Sequence, residues 1–104
     1  MDLSDAEFYQ ANLDNFNFSG CQISGTNFDQ VSLVNADFSG IGSFEGSYWY
    51  KTQWWMAKKI DKKLLIYLIN KHPFNSKIEY SKISGQKYDL KKYSYWLKKS
   101  TEKD

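Results

Sequence analysis

A five-residue beat governs the first forty residues and limits the fold more than any other feature of the chain. Read in fives from Met1, the sequence is MDLSD, AEFYQ, ANLDN, FNFSG, CQISG, TNFDQ, VSLVN and ADFSG. The third position holds Leu3, Phe8, Leu13, Phe18, Ile23, Phe28, Leu33 and Phe38, all large and apolar. The first position holds Met1, Ala6, Ala11, Phe16, Cys21, Thr26, Val31 and Ala36, mostly small or apolar. The second is always polar, and the fourth and fifth are mainly Ser, Asp, Asn, Gln and Gly. A helix needs apolar spacings of three and four, and a long strand needs strict alternation. Five fits neither. Positions one and three share one side of a short extended piece. Positions four and five then supply a turn, with Gly20, Gly25 and Gly40 suited to positive φ. A chain that turns every five residues and keeps the same side chains inward is a solenoid, with a core stacked from the first and third positions.

This stretch resembles the pentapeptide-repeat family. Ala11-Asn12-Leu13-Asp14-Asn15 and Ala36-Asp37-Phe38-Ser39-Gly40 carry the resemblance most closely, matching a unit of Ala, Asp or Asn, Leu or Phe, then two variable residues. The resemblance covers residues 1–40 and departs from the family pattern at Phe16, bulky where a small residue is preferred. It breaks at Ile41-Gly42-Ser43-Phe44-Glu45, where Ser43 occupies the central apolar position. It implies a mainly β solenoid, a right-handed quadrilateral β-helix with four units per coil and about two coils here. The corresponding division is a β-helix over residues 1–45 and an aromatic, Lys-rich helical cap and tail over residues 46–104.

Four units per coil would stack residues twenty apart. The pairs are Leu3 with Ile23, Phe8 with Phe28, Leu13 with Leu33 and Phe18 with Phe38, each matched in kind. Layers about 4.8 Å apart would let the phenylalanine rings stack. Cys21 falls at a first position and is expected inside as a small apolar residue.

Charge divides the chain in two. Residues 1–50 carry seven carboxylates and no lysine, so that half is −7. Residues 51–104 carry all fourteen lysines against five carboxylates, so that half is +9, for a total of +2 without any arginine. Such segregation points to an interaction role. In the second half, Asp61 reads as the N-cap of a helix through Lys62-Lys63-Leu64-Leu65-Ile66-Tyr67-Leu68-Ile69, ended by Pro73. Leu64, Leu65 and Leu68 form its main apolar face, extended backwards by Ile60. Ile66 and Ile69 broaden that face, so the helix is expected to be covered on more than one side. A second helix is expected from Asp89 through Leu90, Tyr93, Trp96 and Leu97, with Gly85 at a turn and Ser100 to Asp104 frayed. The open end of a solenoid needs a cover, and this tail supplies one.

The residue inventory argues against catalysis. There is no Gly-rich phosphate loop, paired-His motif or nucleophile elbow, so no catalytic or cofactor-binding residue and no cofactor are expected. One Cys and one His are too few for a His/Cys zinc site, and one Cys allows no internal disulfide. His72, at a helix end, reads as a charged partner of the helix dipole. The longest apolar run, Leu64 to Ile69, is too short to span a bilayer, and no basic start precedes an apolar stretch, so a cytoplasmic location is expected.

The expected function is a non-catalytic interaction or structural module that binds a protein partner or forms a homodimer. Trp54, Trp55, Leu64, Leu65 and Leu68 are the candidate interface. Met1 already stands in phase, so Leu3, Phe8, Leu13 and Phe18 would leave a second apolar end uncovered. The family resemblance implies a sharper alternative, imitation of duplex DNA and binding to a type II topoisomerase such as gyrase. The −7 half has the matching sign, but two coils make a short rod. Two further alternatives rest on the tail. Lys91-Lys92-Tyr93-Ser94-Tyr95-Trp96 with Lys98-Lys99 has the composition of a nucleic-acid site, a reading less favoured than a buried helix face of Tyr93, Trp96 and Leu97 with the lysines on its solvated side. Trp54 and Trp55 beside Lys58, Lys59, Lys62 and Lys63 have the composition of a membrane-surface helix, a reading less favoured than a cap.

Overall fold

The computed structural model describes residues 1–80 and 90–103. Through its first forty residues the backbone turns at every fifth residue. Asp5, Gln10, Asn15, Gly20, Gly25, Gln30, Asn35 and Gly40, the eight fifth positions, all have positive φ, between 56° and 74°. A four-residue turn with positive φ at its third residue admits Gly, Asn and Asp most readily. Most of these turns are closed by a backbone bond back to the third position, as from Ala11 N–H to Phe8 O at 2.8 Å and from Ala36 N–H to Leu33 O at 3.0 Å, whereas Val31 N–H donates to Thr52 Oγ1 at 3.2 Å. The polar second position has its own task. The side-chain oxygens of Asp2, Asn12, Asn17, Asn27 and Asp37 accept from the backbone N–H two residues on, at 2.8–3.0 Å. These are Asx turns, and they favour Asp and Asn at that position.

Residues twenty apart pair in parallel. Asp2 bridges Gln22, Glu7 bridges Asn27, Asn12 bridges Ser32 and Asn17 bridges Asp37. The N–H groups of Leu3, Phe8, Leu13 and Phe18 donate to carbonyls of residues 22–37 at 2.8–2.9 Å. Regular sheet is nevertheless sparse. Strands β1 (Asp37–Phe38) and β2 (Lys59–Ile60) are two residues each and pair in parallel. A five-residue unit that spends two residues on its turn leaves room for isolated bridges rather than continuous ladders.

The pairing runs on past residue 45. Asn27 bridges Tyr48, and Asp37 pairs with Lys59. The offset between partners thus grows from twenty to twenty-one and then twenty-two. Ile23 N–H donates to Ser43 O, where the twenty-residue rule would place residue 42, so the first extra residue enters beside Gly42. Gly46 and Lys51 resume the positive-φ turns five residues apart. The shift puts Phe44 and Trp49 where an unbroken count would put Ser43 and Tyr48.

The core follows from this register. Phe18 and Phe38 stack with centroids 4.7 Å apart and planes 5° from parallel. Phe8, Phe28 and Trp49 form a second column, at 5.7 Å and 4.4 Å. Rings of neighbouring columns meet edge to face, as between Phe18 and Phe28 at 5.5 Å. Hydroxyls at first positions satisfy carbonyls from inside: Thr26 donates to Leu3 O at 2.8 Å and Thr52 to Phe28 O at 2.5 Å.

The rest of the described chain comprises a 3-10 turn at Trp54–Met56, helix α1 (Lys62–Lys71) and helix α2 (Leu90–Thr101). Asp61 caps α1, accepting from Lys63 N–H at 3.1 Å. Leu64, Leu65 and Leu68 are the buried face of α1. Ile66 stays 43% exposed, so α1 is open on its outer side, contrary to the expectation of cover on more than one. α2 lies over the 3-10 turn through Trp96, whose Nε1 donates to Trp55 O at 3.0 Å. It stays helical through Thr101, further than the frayed end expected from Ser100. The expected Asp89 cap and Gly85 turn lie outside the described residues.

Candidate interaction surfaces

The five apolar residues expected to form an interface do not reach the surface. Trp54, Trp55, Leu64, Leu65 and Leu68 are all buried in the common core. Trp54 Nε1 donates to His72 O at 2.8 Å, and Trp55 lies edge-on to Phe74, Tyr80 and Tyr93. The correction has a simple cause: α1 turns its own Leu64, Leu65 and Leu68 into the common core and α2 lies over the turn that carries Trp54 and Trp55, and an apolar pattern records what must be covered without recording by what.

The two ends of the stacked segment differ sharply. In residues 21–40, all eight first and third positions are buried. In residues 1–20 only Leu13 and Phe18 are. Leu3, Ala6, Phe8 and Ala11 are half-buried, Phe16 is 44% exposed and Met1 is 84% exposed. Phe16, the residue that broke the small-residue pattern, lays its ring against Phe18 at 4.4 Å. It shields part of this end and presents its outer face to solvent. Among the described residues, the peptide N–H and C=O groups of Asp2, Glu7, Asn12 and Asn17 form no hydrogen bond. Their counterparts in the next layer, such as those of Gln22, pair with residues of the first. Of Leu3, Phe8, Leu13 and Phe18, expected from the sequence at an open end, Leu13 and Phe18 are buried, and Leu3 and Phe8 are half-buried.

The remaining singled-out residues are placed plainly. Cys21 is buried and free of any disulfide. His72 ends α1, its N–H donating to Leu68 O at 2.7 Å. Burial holds its imidazole below the usual range, partly offset by the Asp29 carboxylate and reinforced by Lys71. Burial thus disfavours the charged form in which His72, at the end of α1, would complement the helix dipole. Asp37 is held below the usual carboxylate range by the Ser39 hydroxyl and amide, with Lys59 and Lys58 adding to the effect. Among the described residues no three of His, Cys, Asp and Glu gather as metal ligands, and no helix is long and apolar enough to cross a membrane.

A backbone that turns in phase, pairs at a twenty-residue offset and fills its interior from two positions in five belongs to a repeat protein. Residues 2–40 match the family model for Pentapeptide repeats in eight copies, so that segment is similar to pentapeptide-repeat proteins. The family suggests a non-enzymatic interaction module. No curated protein and no solved structure matches the chain.

Proposed function

We propose that residues 1–60 form a short right-handed quadrilateral β-helix of three coils, sealed at one end by α1 and α2, and that the chain self-associates through the other end. The twenty-residue bridges, the ten positive-φ turn residues and the Phe8–Phe28–Trp49 column support this architecture. The contrast between a fully buried second layer and a half-open first one carries the functional reading. A second copy placed end to end covers Leu3, Phe8 and Phe16 on both partners and offers backbone groups to Asp2, Glu7, Asn12 and Asn17. The exposed carboxylates of Asp2, Asp5 and Glu7 form the rim of that end. Two such rims repel, so the association strengthens as salt screens them.

Sedimentation of the full chain from micromolar to millimolar concentration tests the proposal. The expected result is a dimer, more stable at high salt, that Phe16→Glu converts to a folded monomer with an unchanged far-UV spectrum. A wild-type chain that stays monomeric over the whole range at both salts overturns it. Imitation of duplex DNA draws less support. Three coils at about 4.8 Å each span roughly 14 Å, against about 34 Å for one duplex turn, and the cap is basic.

A further inference from the structure

Helix α2 presents a second surface, unrelated to the open end. Trp96 is buried and Tyr93 half-buried, as a packed helix face requires. Packing does not absorb Tyr95, which is 51% exposed. On a helix the neighbours of a residue are those three and four positions away. For Tyr95 these are Lys91 and Lys92 on one side and Lys98 and Lys99 on the other. All four are lysines. Lys99 Nζ lies 5.6 Å from the Tyr95 ring centre.

The surroundings extend the pattern. Two grooves flank Trp96. One, of about 290 Å³, is lined by Ala57, Lys58, Lys92, Tyr95 and Trp96. The other, of about 220 Å³, includes Lys62, Lys99 and Lys103. Among the described residues, the acidic groups facing this surface are few. Glu102 pairs with Lys99 at 3.2 Å, and its backbone carbonyl accepts from Lys62. The Asp37 carboxylate acts on Lys59 and Lys58. Concentrating cations on one helix costs stability through mutual repulsion. A polyanion removes that cost, and an exposed ring at the centre selects a polyanion with flat, stackable groups.

We infer that α2 binds single-stranded nucleic acid, with a base stacked on Tyr95 and neighbouring phosphates held by Lys91, Lys92, Lys98 and Lys99. Lys58 and Lys62 line the grooves along which the strand continues. Lysine acts as a point charge and offers no bidentate base contact, so recognition is by strand form and not by sequence. Base-on-aromatic stacking supplies the preference over other polyanions.

Anisotropy of a labelled oligothymidine titrated with the full chain tests the inference, with heparin and phosphatidylserine vesicles as the other arms. Oligothymidine binding is expected to weaken with salt, log K falling by about 0.7 per phosphate engaged, or about 3 for four phosphates, per tenfold rise in salt. Tyr95→Ala is expected to weaken oligothymidine about tenfold or more and leave heparin unchanged. Lys91→Glu with Lys98→Glu is expected to weaken both. Both sets of changes lie on exposed positions, and far-UV spectra and thermal midpoints check that each variant folds. Phe16→Glu is expected to bind as the wild type does, which separates this surface from the open end. Absence of oligothymidine binding at low salt overturns the inference. So does indifference to Tyr95→Ala, which leaves only a generic cationic surface, and so does binding to the vesicles with none to the oligonucleotide.

Discussion

Trp49 lies outside the forty-residue repeat, yet it is 1% exposed and closes the column begun by Phe8 and Phe28. Its indole lies 4.4 Å from the Phe28 ring and meets Phe38 at 5.4 Å, and its Nε1 donates to Ser47 Oγ at 2.8 Å. Trp49→Ala removes all of this from the layer that joins the repeats to α1. Truncating a buried Trp or Phe costs about 3–5 kcal/mol, and about 4 is expected here because the site is enclosed by rings that cannot collapse into the space. With a urea m-value of about 1.5 kcal/mol/M, the midpoint falls by about 2.5 M. Trp49→Phe keeps the stacked ring, and its loss is expected to stay at about 1–2 kcal/mol. Phe8→Ala, in the same column but half-open, is expected to cost less than Trp49→Ala. Far-UV circular dichroism, which reports mainly α1 and α2, and fluorescence of the remaining tryptophans are expected to give one coincident transition. A loss below about 1 kcal/mol for Trp49→Ala, no more than an average substitution costs, refutes a continuous core across residue 45. Separate melting of repeats and helices refutes it equally.

Two other expectations concern the turns and the cap. Gly20 has φ of 74° with open space for 4 Å around the place a Cβ would take, and Asn15 and Asn35 occupy the equivalent turn position at 64° and 59°. Gly20→Asn is therefore expected to be nearly neutral in thermal melts, whereas β-branched Gly20→Val is expected to cost about 1–2 kcal/mol. His72 titrates below its ordinary value in the folded chain because burial disfavours the imidazolium. A depressed histidine stabilises the fold above its unfolded pKa, and that contribution is lost as pH falls through the folded value. The wild type is thus expected to lose stability as pH falls below the ordinary histidine value of about 6.5, and His72→Gln is expected to flatten that fall in urea titrations at each pH.

The repeat was legible because each of its positions answers to one physical demand. Third positions fill the interior, second positions fold their carboxylate or amide onto the turn, and fifth positions take positive φ. A count in fives fails at Ser43, since a single extra residue moves the inward role to Phe44 and Trp49. Gly46, with Lys51 five residues later, marks the resumed beat, but lysine at positive φ carries no compositional signal. The covered state of Trp54, Trp55, Leu64, Leu65 and Leu68 was hidden for another reason. Burial by a segment thirty residues downstream is a long-range fact, and the spacing within α1 is the same whether α2 or a foreign protein lies on it. Tyr95 is the converse case. Sequence placed it in an ambiguous run with Tyr93 and Trp96, and only the helix's orientation separates the ring that packs from the ring that does not.

The drift in pairing offset has a consequence for how such a chain can change its size. Up to residue 40 every course is the same length, so a duplicated block of twenty residues inserted between Gly20 and Cys21 drops into place and merely raises the stack. From Ile41 onward the next course takes in two extra residues, and a standard block laid there meets a perimeter it does not fit. Height is therefore negotiable at one end and fixed at the other, where the misfit itself forbids further growth.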